Sequence, residues 1–366
     1  MITPRSITSP KTFLIAKGLM DNLETHIKPV GQNALIICDT FFMERINNNV
    51  QQNFPKAQIK AHVEKFAGEC TKIEVKRLAE LCKSNQHDVV IGIGGGKTLD
   101  TAKAVAYYQN IPVIIVPTLA STDAPCTALS VFYKENGEFD EYLFLPENPQ
   151  AVIVDSQVIA NAPVRFFAAG VGDALATYFE ARMCYLADGV NLVLKRPSRT
   201  GLGIAQLCFE LLIENAAAAM DAVQNKVVTP ALEQTIEATI YLSGVGAESG
   251  GLAAAHAVSN GMGTIEALHS AQHGEKVAFG LLTQLVLENA PEDEIETVIN
   301  IMQTVGLPLS LADFGIKQIV EADWRKVAEV ACAEGDTMSN MNQKVTPDDV
   351  YAAILAANSL AERYHL

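Results

Sequence analysis

Ile91-Gly92-Ile93-Gly94-Gly95-Gly96-Lys97-Thr98-Leu99-Asp100 is the stretch from which the rest of the chain can be read, because it joins two elements of opposite character. The apolar run at 89–91 predicts a buried parallel strand and residues 99–108 predict a helix, so the glycines stand where a strand passes into a helix N-terminus. Unsatisfied N–H groups and the helix dipole favour an anion there. Adjacent glycines let a ligand approach the backbone with no Cβ in the way, and take positive φ where the turn requires it. Lys97 adds a point charge. Neither common phosphate fingerprint fits: G-x-G-x-x-G begun at Gly92 fails at Lys97, and the Walker spacing would need glycine at Ile91. By pattern alone this is either a phosphate-binding turn or one that merely packs a strand closely on a helix.

Working outward, 366 residues of which 49% are apolar suit two domains with ample material to bury. A formal charge of -15 with no basic block argues against nucleic acid or an anionic membrane as partner. It leaves room for a phosphate-bearing cofactor, since local amides act at contact distance. The seven cysteines are scattered, lack C-x-x-C spacing and read as reduced, buried small hydrophobes. No signal peptide or membrane span is legible, and a cytoplasmic protein is the expectation.

Before the glycine turn, 12–16 reads as a short strand, 18–27 as a helix, 34–38 as a buried strand ending at Asp39, 58–66 as a strand and 74–84 as a helix. A carboxylate at the end of such a strand lies on the edge where open α/β sheets bind ligands. Asp39 can accept ribose hydroxyls there or cap the helix beginning near Phe41, and the pattern leaves both open. Because Asp39 precedes the turn, the ribose reading needs an unusual strand connectivity. Beyond the turn, 113–116 is a strand stopped by Pro117, and the polar segment Thr118-Leu119-Ala120-Ser121-Thr122-Asp123-Ala124-Pro125 is a connection suited to ligand contacts. Residues 129–133 and 142–145 bracket a hairpin at Asn136-Gly137, and 151–154 closes the sheet.

From residue 163 the composition turns alanine-rich with helical period, giving helices at 166–187, 203–222, 231–245, 251–258, 277–288, 292–305, 324–333 and 347–363. The predicted fold is therefore an α/β, Rossmann-like nucleotide-binding domain at 1–162 followed by an all-α domain at 163–366. Asp173 within an apolar helix start and His256 among alanines need partners if buried, while His269 and His273 are four apart. An Asp/His/His set with an open position suits a zinc or iron ion acting as a Lewis acid on an alcohol oxygen. Taken singly, His256 reads first as a satisfied core histidine and Asp173 as an N-cap or helix-start acid, while His269 and His273 read equally as an exposed pair.

Five segments carry a resemblance: 92–103, 117–126, 170–177, 248–257 and 273–280. Together they are similar to the metal-containing (iron-dependent, type III) alcohol dehydrogenase family along nearly the whole chain; the glycine turn alone reaches only the superfamily shared with dehydroquinate synthases. The resemblance implies that family's dehydroquinate synthase-like fold, NAD-dependent oxidation of glycerol to dihydroxyacetone, and one zinc ion (Zn2+) per subunit held by Asp173, His256 and His273, with Fe2+ the less favoured metal. It further implies Asp39 at the adenosine ribose, Gly95, Gly96, Lys97 and Asp100 at the phosphate turn, and Thr118, Ser121, Thr127, Leu129 and Tyr133 along the cofactor. Asp123 and His256 are implied as catalytic and substrate-contacting residues, and a homo-oligomer, often an octamer, as the assembly. Thr127 replaces a serine common in close relatives, and Ser259 replaces a second histidine, which questions any proton relay there.

Competing readings are a lyase or dehydrogenase acting on a phosphorylated substrate, which would need a Lys/Arg cradle missing between His256 and His273, and a noncatalytic dinucleotide- or metal-binding scaffold. Asp39 also carries a prediction. Its carboxylate would face the 2′-phosphate of NADP, so catalytic efficiency with NAD should exceed that with NADP, and equal values in steady-state assays would count against a ribose role.

Overall fold

The computed structural model describes residues 3–364. Its strands follow the apolar runs: β1 (Arg5–Ser6), β2 (Phe13–Ala16), β3 (Asn33–Cys38), β4 (Lys60–Lys65), β5 (Val89–Gly94), β6 (Val113–Pro117), β7 (Leu129–Tyr133), β8 (Phe139–Phe144), β9 (Ala151–Asp155) and, far downstream, β10 (Arg196–Pro197). A six-stranded, wholly parallel sheet runs in the order β2-β9-β6-β5-β3-β4, and β7 and β8 form a separate antiparallel hairpin. Strand alternation divides the core. Ile36, Ile91, Ile93 and Ile153 pack on one face with α1 (Leu23–Ile27) and α2 (Met43–Ala57). Leu35, Val90, Ile115 and Val152 pack on the other with α3 (Lys72–Ser84) and α4 (Gly96–Gln109). Coverage of both faces is why these strands read as unbroken apolar runs.

The strand order resolves the connectivity that the position of Asp39 required. β4 lies at the sheet edge, so β3 and β5 become neighbours, with Cys38 opposite Ile93. The N–H of Asp39 donates to the Ile93 carbonyl at 2.9 Å, which sets the carboxylate beside the glycine turn, at the crevice outside the carboxyl ends of the strands.

After α5 (Ser156–Asn161) come α6 (Val164–Leu186), α7 (Arg199–Gln224), α8 (Pro230–Ile236), α9 (Ser243–Gly250), α10 (Ala254–Met262), α11 (His273–Leu287), α12 (Glu292–Val305), α13 (Glu321–Ala331) and α14 (Pro347–Glu362). Ser198 caps α7 through the Gly201 N–H, and Thr346 opens α14 in a capping box with Asp349. Differences from the sequence reading have local causes. The helix expected at 231–245 is divided by a π-helical turn, Glu237–Leu242, and continues to Gly250; the one expected from 251 starts at Ala254, because Gly251 adopts φ 95°. The segment at 18–27 opens as a 3-10 turn, Leu19–Asn22. β1 pairs in parallel with β10, tying the start of the described chain to the helical half, and strands of two residues carry no periodic signal. By length and composition α7 is the one helix among the described residues able to cross a membrane; here Ala205, Cys208, Leu212 and Ala216 form its buried stripe in the bundle.

Small residues set how closely the helices meet. A Cβ on Gly274 would lie 1.8 Å from the Ala169 carbonyl oxygen, and one on Gly170 would lie 1.9 Å from that of Ala120. Neither contact is possible, so α6 accepts the backbone of α11 and that of the β6–β7 connection at van der Waals distance only because both positions lack side chains. Gly274→Ala should therefore destabilise the protein by about 1–3 kcal/mol. Gly203, in α7 with open space around its Cβ direction, should instead gain about 0.4–1 kcal/mol as Gly203→Ala. Thermal unfolding midpoints moving in opposite directions are the expected result.

Candidate active site

Asp173 stands well inside α6, one turn beyond Gly170, and is buried among apolar residues. Its Oδ2 accepts the backbone N–H of Asp123 at 3.2 Å, while Oδ1 is buried without a hydrogen bond. Toward that orphaned oxygen converge Nε2 of His256, from α10, at 3.4 Å and Nε2 of His273, at the start of α11, at 3.3 Å. One ligand atom from each of the three residues lies within 4.8 Å of the others. With metal–ligand bonds of about 2.1 Å, adjacent donors in an open coordination sphere stand about 3.0–3.4 Å apart, the spacing at which both imidazole nitrogens stand from Asp173.

The second nitrogen of His256 explains its orientation. Nδ1 lies 2.6 Å from Oε2 of buried Glu180, whose Oε1 also accepts the N–H groups of Ala253 and His256 at 2.8 and 2.9 Å. A proton on Nδ1 donated to Glu180 leaves the Nε2 lone pair facing Asp173. Burial alone would lower the His256 pKa and raise that of Asp173, but mutual charge reverses both. Glu180 and Asp173 hold His256 well above its usual range, and His273 and His256 hold Asp173 well below the usual carboxylate range. The pocket favours positive charge, the electrostatic condition for a divalent ion. Beside it, burial and then the charge of Asp173 push Asp123 up to about 7, against a 3.0 Å hydrogen bond donated by Ser243 to Oδ2.

His269 stays outside this cluster. It follows a 3-10 turn, Glu266–Leu268, and its Nε2 stands 3.2 Å from the Gly263 carbonyl, so His269 and His273 do not share a helix. Ser259 is buried in α10.

The other predicted residues gather at the carboxyl ends of β3, β5 and β6. Gly95 is the N-cap of α4 and Gly96 its first residue, with open space where a Gly96 Cβ would project. No glycine of the turn has positive φ; Gly94 is needed because a Cβ would meet the Thr98 hydroxyl at 2.7 Å. Spatial clearance is thus the requirement, rather than the left-handed backbone the sequence suggested. Lys97 pairs with Glu69 at 2.5 Å and lies over the Tyr133 ring, whereas buried Asp100 engages Lys103 at 2.8 Å and the Val131 N–H at 3.1 Å. Asp39 caps the turn Thr40–Phe42 through the Phe41 N–H at 2.9 Å. Thr118 donates its N–H to the Gly94 carbonyl, and Thr127 turns its hydroxyl to the Ala124 carbonyl. Ser121, Leu129 and Tyr133 are half-buried along the same connection and hairpin.

Known proteins match this arrangement. Residues 10–156 match the model of the iron-containing alcohol dehydrogenases. The chain is 50% identical to a glycerol dehydrogenase of Escherichia coli, over 98% of both chains. The chain belongs to the iron-containing alcohol dehydrogenase family. A glycerol dehydrogenase of Pseudomonas putida is 47% identical over 98% of this chain and 99% of its own. The crystal structure of glycerol dehydrogenase from Schizosaccharomyces pombe superposes with a TM-score of 0.95 at 33% identity, covering 99% of this chain and 92% of that one. Membership corrects one expectation. Zinc was expected, but the family is iron-containing, and two imidazoles with one carboxylate around open positions are the donor set of non-haem ferrous iron.

Sequence reasoning missed Glu180, Ser243, Glu248 and Lys103. Glu180 was within reach: it follows Asp173 by two helical turns on the same face of an apolar helix, where a lone carboxylate needs a donor. His256→Ala should lose most bound iron and turnover with near-normal NAD affinity, and His269→Ala should keep both. Glu180→Gln should weaken iron affinity by about 10- to 100-fold. Metal analysis after equilibrium dialysis reads all three; a full iron equivalent in active His256→Ala would sink the ligand assignment.

Proposed function

We propose that the protein oxidises glycerol to dihydroxyacetone reversibly, reducing NAD, and acts on related vicinal diols. What carries this reading is the position of Asp123: its carboxylate and backbone lie against the Asp173–His256–His273 cluster, on a connection that leads directly to the residues beside the glycine turn. Similarity to glycerol dehydrogenases over nearly the whole chain supports the same substrate class.

In this reading residues 1–162 take NAD and 163–366 hold metal and substrate. Asp39 accepts the ribose hydroxyls, the N–H groups at Gly95 and Gly96 meet the diphosphate with Lys97 nearby, and Thr118, Ser121, Thr127, Leu129 and Tyr133 line the remainder, Asp100 fixing the hairpin that bears the last two. Asp173, His256 and His273 would hold the metal that meets the alcohol. Bound there, iron would supply Lewis acidity that eases loss of the hydroxyl proton, and NAD would supply the hydride acceptor. Asp123 accepts a hydrogen bond from a second hydroxyl, which orients the reacting carbon and favours polyols over simple alcohols. The C–H bond breaks and its hydrogen leaves with the electron pair as hydride, the O–H bond gives its proton to solvent, and the ketone C=O bond forms.

Copies of the chain associate, and an octamer is the expected assembly, testable by light scattering. The seven free cysteines agree with a reducing cytoplasm.

Glycerol-dependent NAD reduction by iron-loaded protein tests the activity. Asp123→Asn tests the polyol contact: a lost charge-assisted hydrogen bond, about 1.5–3 kcal/mol, lowers kcat/KM for glycerol roughly ten- to hundredfold. Propan-2-ol, with no second hydroxyl, should change far less, and iron and NAD should still bind. An equal loss for both alcohols would instead assign Asp123 to the chemical step or to the geometry of its loop.

A further inference from the structure

Two buried charges, one of them the Lys103 that also pairs with Asp100, hold one short run of backbone from opposite sides. Lys103, on α4, is wholly buried and turns its Nζ to the carbonyl oxygens of Ala124 at 3.0 Å, Thr127 at 3.5 Å and Leu129. Glu248, on α9 in the helical half, is also buried, and among the described residues no cation pairs with it. Its Oε1 accepts the N–H of Ala128 at 2.6 Å; its Oε2 accepts the Thr8 hydroxyl at 2.9 Å and the Asn148 amide.

The geometry follows strand alternation. In an extended run the carbonyls of 127 and 129 point one way and the N–H of 128 the other. A cation below therefore takes Thr127 and Leu129 while an anion above takes Ala128, and neither hold can shift without opening the other. Letting go costs more than an ordinary hydrogen bond, because a charged group would remain buried with fewer partners. One grip comes from the α/β half and the other from the helical half.

We infer that Lys103 and Glu248 are positioning residues for hydride transfer, fixing the segment 127–129 between the cofactor side and the metal side. The inference rests on the functional reading above, which sets Thr127 and Leu129 along NAD. Displacement of this segment should change the distance across which hydride moves more than the affinity for either substrate. Transfer rates fall steeply with small misplacements.

The test uses the iron-loaded holoenzyme with Glu248→Gln, Lys103→Met and the double variant. Glu248→Gln keeps the side-chain volume but turns an amide NH2 toward donor groups. The expected result is a fall in kcat of about ten- to hundredfold with KM for glycerol and NAD within about threefold. Iron content should be unchanged, and the primary isotope effect with glycerol deuterated at C2 should rise as hydride transfer becomes limiting. Because both residues hold the same segment, the double variant should lose less than the product of the single losses. Thr8→Val, which removes only a remote donor to Glu248, should shift kcat and isotope effect in the same direction by less, and it serves where Lys103→Met fails to fold. Variants that melt earlier but keep the parental kcat and isotope effect would overturn the inference and leave a purely structural role. An unmutated enzyme unable to reduce NAD with glycerol would overturn the functional reading itself, so the two failures are distinguishable.

Discussion

An ionised carboxylate in the middle of an apolar helix is the constraint around which this molecule closes. Asp173 cannot remain buried in α6 without compensation, since an uncompensated buried charge costs several kcal/mol. Compensation comes from three elements distant in sequence: the imidazoles at the starts of α10 and α11, and the N–H of Asp123 on the β6–β7 connection. Each must bring its backbone close to α6. The glycines at 170, 172 and 274 permit that approach, and a Cβ on Gly172 would itself meet the Gly274 carbonyl oxygen at 2.5 Å.

That demand binds the two halves of the fold into one electrostatic unit. The connection that compensates Asp173 also carries Asp123, and its continuation is seated on α9 by Ser243 and Glu248 and on α4 by Lys103. Gly244 lets α9 approach the Asp123 carbonyl, where a Cβ would stand at 2.8 Å. The π-helical turn just before Ser243 shifts the phase of the helix at the point where it meets this connection, and such turns recur at functional sites. The Asp123 carboxylate, pushed up to about 7 by burial and then by the charge of Asp173, is therefore held from both sides of the connection.

Sequence patterns gave access to most of this architecture because buried parallel strands and long amphipathic helices write their periods plainly. The runs ending at Cys38, Ile93 and Val116 became neighbouring strands, and Asp39 came to the glycine turn through the order of the sheet. Asp173, His256 and His273 were legible as metal-capable residues, but their convergence was not, since spacing along a chain does not encode which helices cross. Recognition of the five segments stood in for that missing geometry. Residues whose role is to satisfy another residue stayed hidden: Glu180 has meaning only once His256 is seen to need a partner, and Lys103 only once three carbonyls are seen to need a donor. The metal itself was misread because imidazole and carboxylate donors serve zinc and iron alike, and the choice rests on family membership and on the three-ligand set.

The pairing of β1 with β10 gives the chain an uncommon path. It begins its described course on the helical half, builds the entire parallel sheet, and returns to the helical half at α6. Topologically the nucleotide-side half is thus an insertion between two parts of the other, joined to it by two covalent crossings, one between Ser6 and Phe13 and one between Asp155 and Val164. No single cut of the backbone therefore separates the halves, and the helical half is assembled from two stretches of chain that meet only in space.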